Sequence, residues 1–178
     1  MERSKPELSG YVVRSPVAHD ATDLGRMHCA VWQQTYADSM DPQAYAALSP
    51  DGFAASWSRT LSSTSTPCSG STPEVRTFVA EHIQDGIVGF ITVGPARDDD
   101  PPVPCQLWAL NVAAEHHGTG LAQHLMADVL GDGPAYLWVA HDNIRAITFY
   151  ERHGFTSDGT ELVDERDGIT EARMVRNG

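Results

Sequence analysis

Two short stretches carry residue types that could do chemistry. The first reads Leu110-Asn111-Val112 and then His117-Gly118-Thr119-Gly120-Leu121-Ala122-Gln123. An apolar strand pattern enters a turn with two glycines, and the turn opens a helix. The first turn of a helix leaves backbone N–H groups without intrahelical partners, and their dipole favours anions. Glycine removes the Cβ atoms that would hold a diphosphate away from those donors. The turn therefore suits a pyrophosphate. It equally suits a tight strand-to-helix connection that uses glycine for its own sterics. A dinucleotide fingerprint fits poorly, because it asks for a third small residue where Gln123 stands and for a place near the start of a βαβ run.

The second stretch runs from Asn143 to Phe155. Asn143, Ala146, Ile147 and Tyr150 follow the i, i+3, i+4, i+7 spacing of one helix face. That face sets an amide at the helix start and a phenol two turns along. A core tyrosine explains the phenol alone as well as a proton donor does; the glycine turn one strand earlier favours the donor.

Together the two stretches resemble the cofactor motifs of the GNAT superfamily of acyl-CoA-dependent N-acyltransferases. The second motif, Asn-x-x-Ala-x-x-Phe-Tyr-x-x-x-Gly-Phe, is matched without a gap by Asn143, Ala146, Phe149, Tyr150, Gly154 and Phe155. In the first, Gly120 and Ala122 match, and His117 stands where Arg or Gln is usual. Leu137-Trp138-Val139 and Arg173-Met174-Val175-Arg176 resemble one branch of the family. The likeness is strong from Leu107 to Phe155. It is looser from Tyr11 to Leu61, where Trp32, Tyr36 and Trp57 fit a helical region.

The resemblance implies an N-acetyltransferase with acetyl-CoA as co-substrate and direct attack by a primary amine, on a small molecule or a peptide, in a ternary complex. Leu110 and Val112 would bond the pantetheine, and a backbone N–H there would stabilise the oxyanion, a contribution of roughly 3–4 kcal/mol. His117, Gly118, Thr119, Gly120, Leu121, Ala122 and Gln123 would hold the pyrophosphate. Asn143 would contact the cofactor arm, and Tyr150 would protonate the leaving thiolate. Trp32, Tyr36 and Trp138 would shape the acceptor pocket. Gln106 and Trp138 occupy the positions where relatives carry a basic glutamate, so Glu81, His141 or an ordered water is left as base. The alternative is a non-catalytic acyl-CoA-binding or regulatory module of the same fold. Dimers are common among such proteins, so a homodimer is open.

The elements needed to position these residues are legible in outline. Tyr11-Val12-Val13 is β-like. Asp20 precedes a helix with Leu24, Met27, Val31 and Thr35 on one stripe, and a second helix surrounds Phe53 to Trp57. Ser62 to Pro73 is Ser/Thr/Gly/Pro-rich and reads as a mobile loop. Val75–Glu81 and Ile87–Val93 alternate as strands around the hairpin signal Asp85-Gly86. Then come a strand over Gln106–Val112, a helix over Gly118–Leu130, a strand over Ala135–Ala140, a helix over Asn143–His153 and a last hairpin at Asp167-Gly168. The order is β-α-α-β-β-β-α-β-α-β-β, an α/β fold in one layered domain. The resemblance makes this a mostly antiparallel sheet of six to seven strands with about four helices, over residues 10–178 after a tail at 1–9.

Composition narrows the partners. The chain has 178 residues, 24 Asp plus Glu and 12 Lys plus Arg, a formal charge of −12. Nucleic acid and anionic membrane are disfavoured, because phosphate contacts need a positive surface. Cys29, Cys68 and Cys105 show no framework spacing, which suggests free thiols and a cytoplasmic setting. Nothing in the sequence predicts a signal peptide or a membrane span. Five of the eight histidines, His116, His117, His124, His141 and His153, lie in the second half. With no HxxxH or Cys/His cluster, no metal site is expected. Arg145 and Arg152 read either as exposed helix arginines or as partners of the cofactor's 3′-phosphate.

Overall fold

A computed structural model describes residues 8–62 and 74–178. The tail residues 1–7 and nearly all of the Ser/Thr-rich stretch, 63–73, lie outside the described residues. The strands are β1 (Tyr11–Arg14), β2 (Arg76–His82), β3 (Gly86–Pro95), β4 (Cys105–Val112), β5 (Ala135–Ala140), β6 (Thr156–Val163) and β7 (Thr170–Arg176). The helices are α1 (Ala21–Thr35), α2 (Pro42–Ala46), α3 (Pro50–Ser62), α4 (Leu121–Val129) and α5 (Ile144–Arg152). The fold is mixed α/β, as expected, with one short helix more. That helix is α2, where Asp41 caps the N–H groups of Gln43 and Ala44 and Pro42 opens the first turn. Proline costs least there, because its missing N–H would be unpaired anyway.

The strands form one seven-stranded sheet in the order β1-β2-β3-β4-β5-β7-β6. Every neighbouring pair is antiparallel except β4–β5, which is parallel. Alternation splits the core in two. Val79 and Phe90 face one side, where Leu24, Val31 and Trp57 of α1 and α3 cover them. Ala80, Ile91 and Leu107 face the other, with Leu121, Leu125 and Met126 of α4 and Tyr150 of α5. Leu8, inside the expected tail, packs against this second cluster.

Asp20 and Arg176 are two of the buried polar side chains, and both have partners. The Asp20 carboxylate does not cap α1; it accepts from the N–H of Val17 and both terminal nitrogens of Arg14, at 2.7 to 2.9 Å. Arg176 donates to the carbonyls of Gly131 and Gly133 and lies 4.8 Å over the Phe155 ring. It therefore ties the α4–β5 turn to the end of α5. Gly25 lets α1 and α3 touch: a Cβ there would lie 2.4 Å from the Ala54 backbone nitrogen.

Candidate active site

β4 and β5 pair over only two rows, Gln106 with Tyr136 and Leu107 with Leu137. The next residue, Trp108, is the extra one in a β-bulge, because Val93 pairs with Leu107 and Thr92 with Ala109. A bulge bends and twists the strand that carries it. β4 thus turns away from β5 just where the pairing stops, and its stretch from Trp108 to Val112 keeps an edge unpaired on the β5 side. A cleft of about 480 Å³ lies at the end of this gap, bounded by Val112 and His117 on one wall, Asn143 and Arg145 on the other, and Thr35 of α1.

The glycine turn follows directly on His117 of this wall. Gly118 and Gly120 have φ of +77° and +87°, the left-handed region that L side chains avoid. A Cβ at either would meet nothing within 4 Å, so the space before both is open. The helix begins at Leu121, three residues later than the sequence suggests, with Gly120 as its N-cap. Thr119 Oγ1 donates to the His116 carbonyl at 2.8 Å and accepts from the Leu121 N–H at 3.3 Å. The His124 N–H goes to the Gly120 carbonyl. The Ala122 and Gln123 amides are left as the unpaired donors of this first turn. Leu121 is buried in the core and Leu110 partly so, which leaves them only main-chain atoms to offer a ligand. His117 Nε2–H donates to the Val112 carbonyl at 2.9 Å, and the Arg145 guanidinium lies against the same imidazole.

Across the cleft, Asn143 caps α5: its Oδ1 accepts from the Ala146 N–H at 3.1 Å. The cap consumes the oxygen and keeps both N–H groups of the amide available. Tyr150 is buried two turns on, edge to Phe149 and Phe155. Burial pushes its phenol pKa upward, the nearby Tyr36 adding to the rise and Arg145 opposing it. The phenol therefore keeps its proton at neutral pH.

Comparison with known proteins agrees with this geometry. Residues 73–157 match the family model of the acetyltransferase (GNAT) domain. A Bacillus subtilis (strain 168) protein, "Uncharacterized N-acetyltransferase YuaI", is 24% identical over 148 residues, 79% of this chain and 78% of that one. The matched stretch and this relative together support a GNAT N-acetyltransferase and acyl transfer. Two solved structures share the fold. One is the PaiA N-acetyltransferase of Thermoplasma acidophilum in complex with coenzyme A (TM-score 0.65, 16% identity, 94% of this chain and 99% of that one). The other is a variant of the Vibrio cholerae spermidine N-acetyltransferase SpeG (TM-score 0.58, 20% identity, 94% of this chain and 93% of that one). No helix among the described residues is long and apolar enough to cross a membrane.

Trp32 and Tyr36 stack edge to face at 5.2 Å and pack against a cluster of Met40, Ala140 of β5 and Ile169. Trp138, two residues earlier on the same face of β5, makes its contacts elsewhere. Its Nε1–H donates to Asp98 at 3.1 Å, and Arg173, also bonded to Asp98, lies 5.6 Å from its ring. Of the expected base candidates, Glu81 sits on β2 with its carboxylate bonded to Arg14 Nε at 2.8 Å. His141 is exposed just past β5.

Sequence reasoning missed Glu171. It lies on β7 opposite Ala140, half-buried, on the face that carries Trp138. Burial holds its carboxyl above the usual range, and Asp164 and Asp167 push the same way. Tyr36 feels this charge: its phenol is pushed up to about 12 by burial, then by Glu171, Asp167 and Asp142. The signal was absent from the sequence because 135 positions separate Tyr36 from Glu171 (171 − 36), and only the β5–β7 register joins them.

Proposed function

We propose that this GNAT domain transfers the acetyl group of acetyl-CoA to a primary amine, on a small molecule or a peptide, by direct attack in a ternary complex. The observation that carries the reading is the departure of β4 from β5 after two paired rows, which opens a strand edge beside the cleft. An extended pantetheine can pair with that edge as a missing strand would, through Leu110 and Val112. The open space before Gly118 and Gly120 and the unpaired amides of Ala122 and Gln123 suit the pyrophosphate. Asn143 N–H groups reach the cofactor arm, and Arg145 supplies positive charge beside the cleft.

The amine nitrogen attacks the thioester carbon. The charge that develops on the carbonyl oxygen meets a β4 main-chain N–H, worth roughly 3–4 kcal/mol when such a donor is preorganised. The C–S bond then breaks, and Tyr150 gives its proton to the departing thiolate. An alkylammonium of pKa ~10.4 is only about one part in 2500 neutral at pH 7, so a base is required. Glu171 takes that role: its raised pKa makes it a stronger base than an ordinary carboxylate, and it sits on the acceptor side with Tyr36 and Trp32. Asp142, Asp167 and Glu171 together give this side a negative potential that draws a cationic acceptor.

Thiol release from acetyl-CoA, followed with a chromogenic disulfide across a panel of polyamines, aminoglycosides, amino acids and peptide N-termini, tests the reading. Release that depends on at least one amine supports it. Coenzyme binding without release across the panel would instead make the chain a non-catalytic acyl-CoA-binding module.

A further inference from the structure

His82, Asp85 and His116 form a second cluster of chemistry-bearing groups. None of the three lines the cleft. His82 ends β2, Asp85 stands in the β2–β3 turn, and His116 closes the one-turn helix after β4. One ligand atom from each lies within 4.8 Å of the others. Asp85 Oδ2 is 3.5 Å from His116 Nε2 and 2.6 Å from His82 Nδ1. The second contact lacks hydrogen-bond geometry, so His82 Nδ1 is buried without a hydrogen-bond partner. A buried ring nitrogen without a partner is costly, and such a group asks for an explanation.

The surroundings suit a metal ligand set. Tyr11 Oη lies 2.8 Å from His116 Nδ1. When Nδ1–H donates to that oxygen, the tautomer is fixed and Nε2 presents its lone pair to Asp85. Ligating histidines are commonly oriented by such a bond from the opposite ring nitrogen. Tyr11 also packs against both imidazoles, at 4.9 and 5.6 Å between centroids, which locks their planes. Donors on a tetrahedral zinc ion stand about 3.3 Å apart, given bond lengths near 2.0–2.1 Å. The Asp85–His116 separation is already close to that. Asp85, with a side chain 54% exposed on a turn, can swing to open its short contact with His82.

We propose that His82, Asp85 and His116 bind a divalent first-row ion of the Zn²⁺ class, with a fourth position left to water. Two imidazoles and one carboxylate are the donor set that such ions favour. The ion would pin the β2–β3 hairpin to the turn that follows β4. The spacing of 34 positions between His82 and His116 (116 − 82) hides this site from any sequence motif.

The test uses the full chain after dialysis against a chelator. Zn²⁺ is titrated by calorimetry, Co²⁺ by visible absorption, and the melting temperature is followed with each. The proposal predicts about one equivalent of Zn²⁺, the intense visible bands of four- or five-coordinate Co²⁺, and a melting rise of roughly 5 °C or more at a hundredfold excess over Kd. Asp85→Asn, a change on an exposed turn, and His116→Gln should each weaken binding by more than tenfold. Tyr11→Phe should weaken it by about tenfold through the loss of the orienting bond. Unchanged Zn²⁺ affinity in Asp85→Asn and His116→Gln, or Co²⁺ that keeps the pale spectrum of the hexaaqua ion, overturns it. Neither arm depends on acetyl transfer, so the failure of one reading is separable from the failure of the other.

Discussion

In the proposed mechanism Tyr150 and Glu171 divide the proton traffic, and burial acts on both. Burial raises each pKa, which keeps the phenol protonated as a donor and makes the carboxylate a better acceptor. Tyr150→Phe should lower turnover on the order of 10²-fold with little change in the KM for acetyl-CoA, since a thiolate is already a tolerable leaving group. Steady-state kinetics with thiol release reads this, and near-normal turnover removes the donor role. Glu171→Gln should lower kcat/KM and abolish the acidic limb of its pH profile. It should also raise stability at pH 7. A carboxyl with a raised folded pKa lets the unfolded chain shed its proton first, so the fold loses stability as pH rises from about 4 through the folded value. Glutamine has no proton to lose. The gain in melting temperature should therefore close below about pH 4, where glutamate is protonated in both states. The place of Tyr150 on the inner face of α5 was legible in the sequence, because one helix carries its whole pattern. Glu171 was not, because its neighbours arrive from α1 and β5.

At the scale of elements, α1 is held by two features that can be checked independently. Gly25→Ala places a methyl 2.4 Å from the Ala54 nitrogen, so α3 must move. The expected cost is about 1–3 kcal/mol, typical of overpacking, measured by denaturant unfolding. His28 lies among Trp32, Phe53, Trp57 and Phe90 and accepts from Trp57 Nε1–H at 3.3 Å. Burial pushes its imidazole down to about 4. A base with a lowered folded pKa is protonated first in the unfolded chain, so stability should fall between about pH 6.5 and 4, by on the order of 3 kcal/mol. Unfolding free energies across that range read the slope, and His28→Leu should remove this part of it. Strand and helix order were readable from alternation, from the glycine turns and from the Asp85-Gly86 signal. The α2 helix was not, being five residues long and held by its Asp41 cap rather than by an apolar stripe. The divergence of β4 from β5 was also invisible, because a bulge at Trp108 leaves no mark in hydrophobic alternation.

For the whole molecule, a net charge of −12 and a coenzyme rich in phosphate look opposed. In the proposed reading the fold reconciles them locally, with main-chain donors and Arg145 beside the cleft and Asp167 and Glu171 outside its lining. The central claim is that the start of α4 and the unpaired β4 edge hold coenzyme A. Calorimetric titration of coenzyme A into the purified chain tests it most directly. A saturable heat at about one equivalent is expected, sharply weakened in Gly120→Val, whose Cβ would intrude on the open space and strain the left-handed turn. No heat with the wild-type chain, or equal affinity in Gly120→Val, would contradict it.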